Sequence, residues 1–304
     1  MTTSTTPLPI LLAGLGVRGA HWAEVIQRSE RCTIAAYVDP NPDAQQRAVE
    51  RFGDHPTFES VEAALASATT FGALILANPP MGRTSQVQAA ADRGLPMLIE
   101  KPLALDLAEA ADLVAIAAGA PVPLMVGLNF RYLAVTQATR QLLHDEVVGR
   151  AAFARFTYER WRDGHRPNLN KYPLTMQQPM LWEQSIHHFD LMRYVYEQDP
   201  VRVQCQTWNP SWSMYDDHAN VAALLTFADG MIVNYQGTWQ SNWSVPHFEW
   251  RTECSGGVIM QREQFGDLHY ARHKDPALTN WALPPHERWI TETSALLTAF
   301  LDAV

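Results

Sequence analysis

Pro9-Ile10-Leu11-Leu12-Ala13-Gly14-Leu15-Gly16-Val17-Arg18-Gly19 begins as an apolar run and ends in three glycines spaced G-x-G-x-x-G. The run reads as a buried strand, and the glycines as a turn into a helix. Glycines so placed permit a tight turn, close approach of the backbone to a pyrophosphate, and tight packing of helix on strand. The helix start adds free N–H donors and a positive dipole. Gly14, Gly16 and Gly19, with Val17 and Arg18 at the helix start, are therefore candidate cofactor-binding residues. The second apolar run ends in Val38-Asp39, twenty residues beyond Gly19, where a dinucleotide site places a carboxylate on the ribose hydroxyls. A plain glycine turn followed by an Asp-Pro strand end is the competing reading, but strand context, spacing and acid position agree on the dinucleotide. An acid at position 39 repels a 2′-phosphate, so NAD(H) is favoured over NADP(H). Asn41, Gln45 and Arg47 are the nearby side chains that would help a phosphate.

Working outward, apolar runs at 9–13, 33–38, 72–77, 96–99 and 124–126 alternate with helical stretches at 21–28, 43–52, 61–66, 84–93 and 107–118. Such alternation implies βαβ units and a mostly parallel, doubly wound sheet. After residue 150 the texture changes. Residues 152–161 alternate apolar and polar like a half-exposed strand, and turns at Ala228-Asp229-Gly230 and Ser255-Gly256-Gly257 are flanked by strand-like runs. One helix at 181–196 interrupts these strands and another closes the chain from about residue 287. The expected fold is α/β: an N-terminal doubly wound, dinucleotide-binding domain (1–126), then an α+β domain (127–304) built on a mainly antiparallel sheet.

The 304 residues are 47% hydrophobic and carry a net charge of −9, without a basic block. That balance argues against nucleic-acid partners and an anionic membrane surface. Three scattered cysteines, with no C-x-x-C, argue against a disulfide framework or a cysteine metal site. No basic region precedes the first apolar run, and no run approaches the ~20 residues that span a bilayer. A cytoplasmic protein is the expectation.

Two loops fall at strand C-termini, the edge where open α/β sheets bind ligands: Asn78-Pro79-Pro80 and Glu100-Lys101-Pro102. Proline loops also simply stop strands, but a lysine at that edge can stabilise a developing alkoxide. Asn78, Pro79, Glu100 and Lys101 are thus cofactor-edge candidates. In Leu181-Trp182-Glu183-Gln184-Ser185-Ile186-His187-His188-Phe189-Asp190-Leu191, the residues Glu183, His187 and Asp190 share one face of a regular helix. An imidazole between carboxylates has the ingredients of a general acid/base, against the alternative of an ordinary charged surface. Neighbouring His187 and His188 point about 100° apart, so no metal is expected, and His188 is a packing or solvent-facing residue.

These pieces in this order resemble the glucose–fructose oxidoreductase/inositol dehydrogenase (Gfo/Idh/MocA) family of nicotinamide-dependent oxidoreductases. The resemblance rests on AGLGVRGAHW, YVDPNPD, ANPP, EKPLAL, VGLNFRY and LWEQSIHHFDLMRYV, from residue 13 to about 196. It implies a Rossmann domain followed by a domain with a large open sheet whose exposed face commonly mediates oligomerisation; a homodimer or homotetramer is expected. It makes Lys101 the catalytic lysine, His187 the catalytic histidine and Glu183 the accompanying acid. It also brings Asn129, Arg131 and Tyr132 near the nicotinamide and substrate. Two departures bear on the substrate: the family's usual acid is Asp, and its small residue near the helix start is replaced by Met180-Leu181-Trp182.

The implied reaction is hydride transfer between NAD(H) and a secondary alcohol or ketone of a sugar, polyol or related carbohydrate. His187 would exchange the hydroxyl proton, Lys101 would stabilise the same oxygen, and Asp190 would hold the imidazole. Candidate substrate contacts are Arg131, Tyr132, Tyr158, Arg160, Trp161 and Asp190, with His165 and Arg166 beyond them; sheet packing is the alternative role for each. Rival readings are NAD-assisted elimination or hydrolysis of a glycoside without net redox change, reduction of a tetrapyrrole, and a non-catalytic nucleotide-sensing regulator.

Overall fold

Continuous apolar strands demand cover on both faces, and the first part of the chain supplies it with alternating helices. The computed structural model describes residues 6–167 and 169–304; the first five residues, part of the chain start read above, lie outside it. In order come β1 (Leu8–Ala13), α1 (Val17–Gln27), β2 (Cys32–Val38), α2 (Pro42–Phe52), β3 (Thr57–Phe58), α3 (Val61–Ala66), β4 (Ala73–Leu76), α4 (Arg83–Asp92), β5 (Met97–Glu100), α5 (Leu107–Gly119) and β6 (Leu124–Gly127). The six strands form a parallel sheet in the order β3-β2-β1-β4-β5-β6. Leu11, Leu12, Leu74, Ile75, Leu76, Leu98 and Ile99 are wholly buried in it, each contributing about 1.5–3 kcal/mol relative to an exposed side chain. The helices start where capping predicts: Asn41 caps α2 ahead of Pro42, Ser60 caps α3 and Asp106 caps α5. Strand order runs outward in both directions from β1 and β4. This pair is the switch point, and its carboxyl edge is where a doubly wound sheet binds ligands.

The second part continues with α6 (Ala134–His144), β7 (Ala151–Glu159), a π-helical turn (Leu181–Ser185), α7 (Ile186–Tyr196), β8 (Pro200–Trp208), β9 (Asn220–Phe227), β10 (Ile232–Thr238), β11 (His247–Cys254), β12 (Gly257–Glu263), β13 (Gly266–Arg272), β14 (Thr279–Trp281) and α8 (Thr291–Ala303). Strands β7 to β14 form one sheet in the order β14-β13-β12-β11-β7-β10-β9-β8, antiparallel except between β7 and β10. Alternation sorts its two faces. Phe156, Val233, Tyr235, Leu225 and Trp250 pack with Leu191, Met192, Val195 and Tyr196 of α7. On the opposite face Phe153, Ile232 and Leu224 are 58%, 41% and 39% exposed. Phe153 and Ile232 are cross-strand neighbours there, beside an Arg155–Glu249 ion pair. Trp208 of β8 shares the face of Leu224 by register, whereas Trp250 is buried in the core.

Two compact units result: one reaches from the start of the chain to Asn129 and adds Trp289–Val304, and the other is Phe130–Arg288. The expected division at 126/127 put the closing helix with the second domain, whereas α8 belongs to the first. Its residues bond there: Arg18 Nη1 donates to Thr293 Oγ1 (3.0 Å) and Arg31 pairs with Asp302 (2.7 Å). Leu296, Leu297 and Phe300 are buried. Among the described residues no helix is long and apolar enough to cross a membrane.

Candidate active site

Gly14 turns the chain out of β1 with φ +89°, and a Cβ there would lie 2.4 Å from the backbone N of Asn78. A Cβ on Gly19 would lie 1.9 Å from the Gly14 carbonyl oxygen, so α1 reaches its position only with glycine at both places. Gly16, the N-cap of α1, faces open space. Beside it the Asp39 carboxylate accepts from Leu15 N (2.8 Å) and Asn41 N (2.9 Å), which folds it over the glycine loop. Asn41 is occupied as a helix cap, and Gln45 Nε2 donates to the carbonyls of Asp39 and Phe58. Asn78 Oδ1, after β4, is a buried acceptor without a hydrogen-bond partner. An open cradle at a helix start, an acid at the ribose position and an unused acceptor on the same edge fit a nicotinamide dinucleotide.

Lys101 follows β5 on this edge and is half-buried. Glu100, expected as a cofactor contact, is held by neighbouring donors. Its Oε1 accepts from Arg18 Nε (2.5 Å) and Trp22 Nε1 (2.8 Å), and the Arg18 guanidinium lies 5.2 Å from the Trp22 ring. The Arg18 side chain is thus directed to Glu100 and Thr293. Val17 is exposed at that start, and Pro79 is exposed in the loop after β4. Asn129 is buried and donates to Glu292 Oε1 (3.3 Å), a carboxyl that burial pushes upward in pKa.

In the second unit, His187 is 6% exposed and stacks on Phe130 with ring centroids 4.1 Å apart. The single regular helix expected to carry Glu183, His187 and Asp190 is interrupted. Residues 181–185 make a π turn, whose wider winding breaks the 3.6-residue register assumed for the whole helix. Glu183 accepts from Tyr172 OH (2.7 Å). Asp190 is gripped by Arg131 through Nε (2.8 Å) and Nη2 (2.5 Å), the bidentate match of guanidinium to carboxylate. That bond raises the Arg131 pKa further.

Tyr158, also expected at the substrate, is 4% exposed and packs on His188 at 4.8 Å. Its hydroxyl lies 3.3 Å from Gln184 Oε1 and from Arg160 Nη1, and burial raises its pKa. It is a core residue. Arg160 and Trp161 are half-buried, with Trp161 bridged to Gln240, and Tyr132 is half-buried with its phenol pKa raised by burial. His165 and Arg166 are exposed.

His188 packs, as expected. Gln184 Nε2 lies 3.1 Å from its Nε2, Tyr235 OH lies 2.9 Å from its Nδ1, and the same hydroxyl reaches Ser185 Oγ at 2.7 Å. The network closes with a neutral ring: Gln184 donates to Nε2, Nδ1–H donates to Tyr235, and Tyr235 donates to Ser185. Burial pushes the His188 pKa down to about 3. Residues not anticipated from the sequence are Arg83, Phe130, Tyr172 and Glu292, each defined by partners distant in the chain.

Comparison with known proteins agrees with this geometry. Residues 8–128 match the family model for the "Oxidoreductase family, NAD-binding Rossmann fold", and residues 136–260 match the GFO/IDH/MocA C-terminal domain. A D-apiose dehydrogenase from Paraburkholderia graminis is 26% identical over 64% of this chain and 51% of its own. An inositol 2-dehydrogenase from Rhizobium meliloti is 23% identical over 63% of this chain and 56% of its own. The matches thus span about half the length of these curated dehydrogenases. An oxidoreductase from Agrobacterium radiobacter, solved with NAD+, L-tartaric acid and magnesium, superposes with TM-score 0.88 at 19% identity, covering 98% of this chain and 88% of that one. With a cradle that fits a nicotinamide dinucleotide and both domain matches in sequence order, the chain belongs to the GFO/IDH/MocA family of oxidoreductases with an NAD-binding Rossmann fold.

Proposed function

We propose that this protein is an NAD(H)-dependent dehydrogenase or reductase acting on a secondary alcohol or ketone of a sugar, polyol or related carbohydrate. The observation that carries the proposal is Lys101 at the end of β5, on the same sheet edge as the Gly16 cradle and Asp39. A lysine there serves chemistry at the reacting end of a dinucleotide. When bound, NAD supplies a hydride acceptor at nicotinamide C4. Lys101 hydrogen-bonds the substrate oxygen and stabilises the negative charge that develops on it, and His187 takes the hydroxyl proton in the oxidative direction. Phe130, stacked on the His187 ring, limits its rotation. Glu183 orients the substrate with Tyr172, while Arg131 and Asp190 brace the start of α7.

The carbohydrate class is supported by the relatives' names, which include inositol and apiose dehydrogenases. Free cysteines suit a reducing cytoplasm. The open sheet face with Phe153, Ile232 and Leu224 suits a homodimer or homotetramer packed through it. The test is NADH fluorescence over a panel of polyols, aldoses and anhydrosugars with NAD. Turnover of at least one ring or chain secondary alcohol is expected, and a flat response over the whole panel in both directions would reject the reading.

A further inference from the structure

At the end of a strand the backbone leaves the sheet ladder, and its carbonyl groups need other donors. After β5 these come from one side chain. Arg83, the first residue of α4, is 0% exposed. Its Nη1 donates to the carbonyl oxygens of Glu100 and Pro102, both at 2.6 Å, and its Nη2 donates to the carbonyl oxygen of Asn78 at 2.5 Å. One planar guanidinium, which keeps its charge when buried, thereby holds the carbonyls on both sides of Lys101 and ties that loop to the loop after β4. Glu100 is doubly fixed, because its carboxylate is taken by Arg18 and Trp22 while its carbonyl is taken by Arg83. These bonds hold the backbone on either side of Lys101.

We infer that Arg83 is a positioning residue for Lys101, holding the two loops of the sheet's carboxyl edge in a single arrangement. The inference rests on the role proposed for Lys101. A misplacement of about 1 Å at a reacting group lowers rate by up to about a hundredfold. Arg83→Met is therefore expected to lower kcat ten- to a hundredfold at saturating NAD, with the alcohol KM changed less than about threefold. In a Lys101→Ala background the same substitution is expected to change kcat by less than about twofold, because the group it positions is gone. Arg83→Lys keeps the charge and a single donor head, and recovers part of the loss; it carries the same comparisons where the methionine variant does not fold.

An equal fold-loss in the wild-type and Lys101→Ala backgrounds would overturn the inference and assign Arg83 to general stability. Amide hydrogen exchange separates this failure from failure of the proposed reaction. Where the wild type oxidises no alcohol, the reaction is rejected and Arg83 is judged by exchange alone. Its loss is expected to speed exchange together in peptides covering 77–82 and 100–105, and unchanged exchange at 100–105 overturns the inference.

Discussion

Replacing His188 with glutamine should remove a large part of the pH dependence of stability. The imidazole is wholly buried between Phe156 and Tyr158, with ring centroids 4.7 and 4.8 Å away, and its nitrogens are bonded to the neutral groups of Gln184 and Tyr235. Burial moves its pKa from 6.5 to about 3. The unfolded chain takes up the proton below about pH 6.5, while the folded chain does not until about pH 3. The stability is complete above the upper value and declines as pH falls between the two. Each pH unit inside the window is worth about 1.4 kcal/mol, so the decline between about pH 7.5 and about pH 5 amounts to about 2 kcal/mol. Glutamine lacks this titration but loses ring packing and a hydrogen bond, so near neutrality the variant should be less stable by about 2 kcal/mol. By about pH 5 the two proteins should be nearly equal. Urea denaturation followed by tryptophan fluorescence at both pH values measures the gap. A gap constant to within about 0.5 kcal/mol would refute the buried neutral ring as its source.

Asp39 should give NAD(H) at least about a tenfold affinity advantage over NADP(H), roughly 1.4 kcal/mol, and Asp39→Ser should narrow it; equal wild-type affinities by titration calorimetry would remove Asp39 from this role. Lys101→Ala should lower kcat with little change in NADH affinity, and His187→Ala should lower the rate by roughly 10²–10⁴; single variants with wild-type turnover would exclude the assigned roles. Light scattering should show a homodimer or homotetramer at micromolar concentration, and Phe153→Asp on the open sheet face should shift it towards monomer. A wild-type monomer would contradict that use of the face.

Much of the first unit is legible in the sequence because its strands are continuous apolar runs and its helices are capped at recognisable residues. The three glycines and Asp39 work at short range, so spacing alone places them. Strand β3 escapes notice because Thr57-Phe58 is too short for any periodicity. In the second unit the turn at Ala228-Asp229-Gly230 is readable, and Gly230 indeed has φ +92°. The site there is less so. Seeing Glu183, His187 and Asp190 as one face assumes a regular helix, and the π turn spoils that assumption. The partners that then claim these residues lie 11 positions away for Tyr172 and 59 for Arg131, outside any local pattern. A closing helix is expected from the sequence, but α8 bonds to Arg18 and Arg31, more than 250 positions earlier. Arg83 carries no local mark at all, since it looks like any polar residue at a helix start.

Direct passage of a hydride between the substrate carbon and the nicotinamide can be followed by isotopic labelling. With the alcohol that responds in the panel deuterated at its carbinol carbon, mass spectrometry of the reduced nucleotide should find one deuterium per NADH formed, together with one equivalent of ketone. Reduced nucleotide without deuterium would contradict direct transfer. Consumption of substrate by elimination or hydrolysis, with no NADH accumulating, would contradict net oxidation and mean that the nucleotide is only transiently reduced.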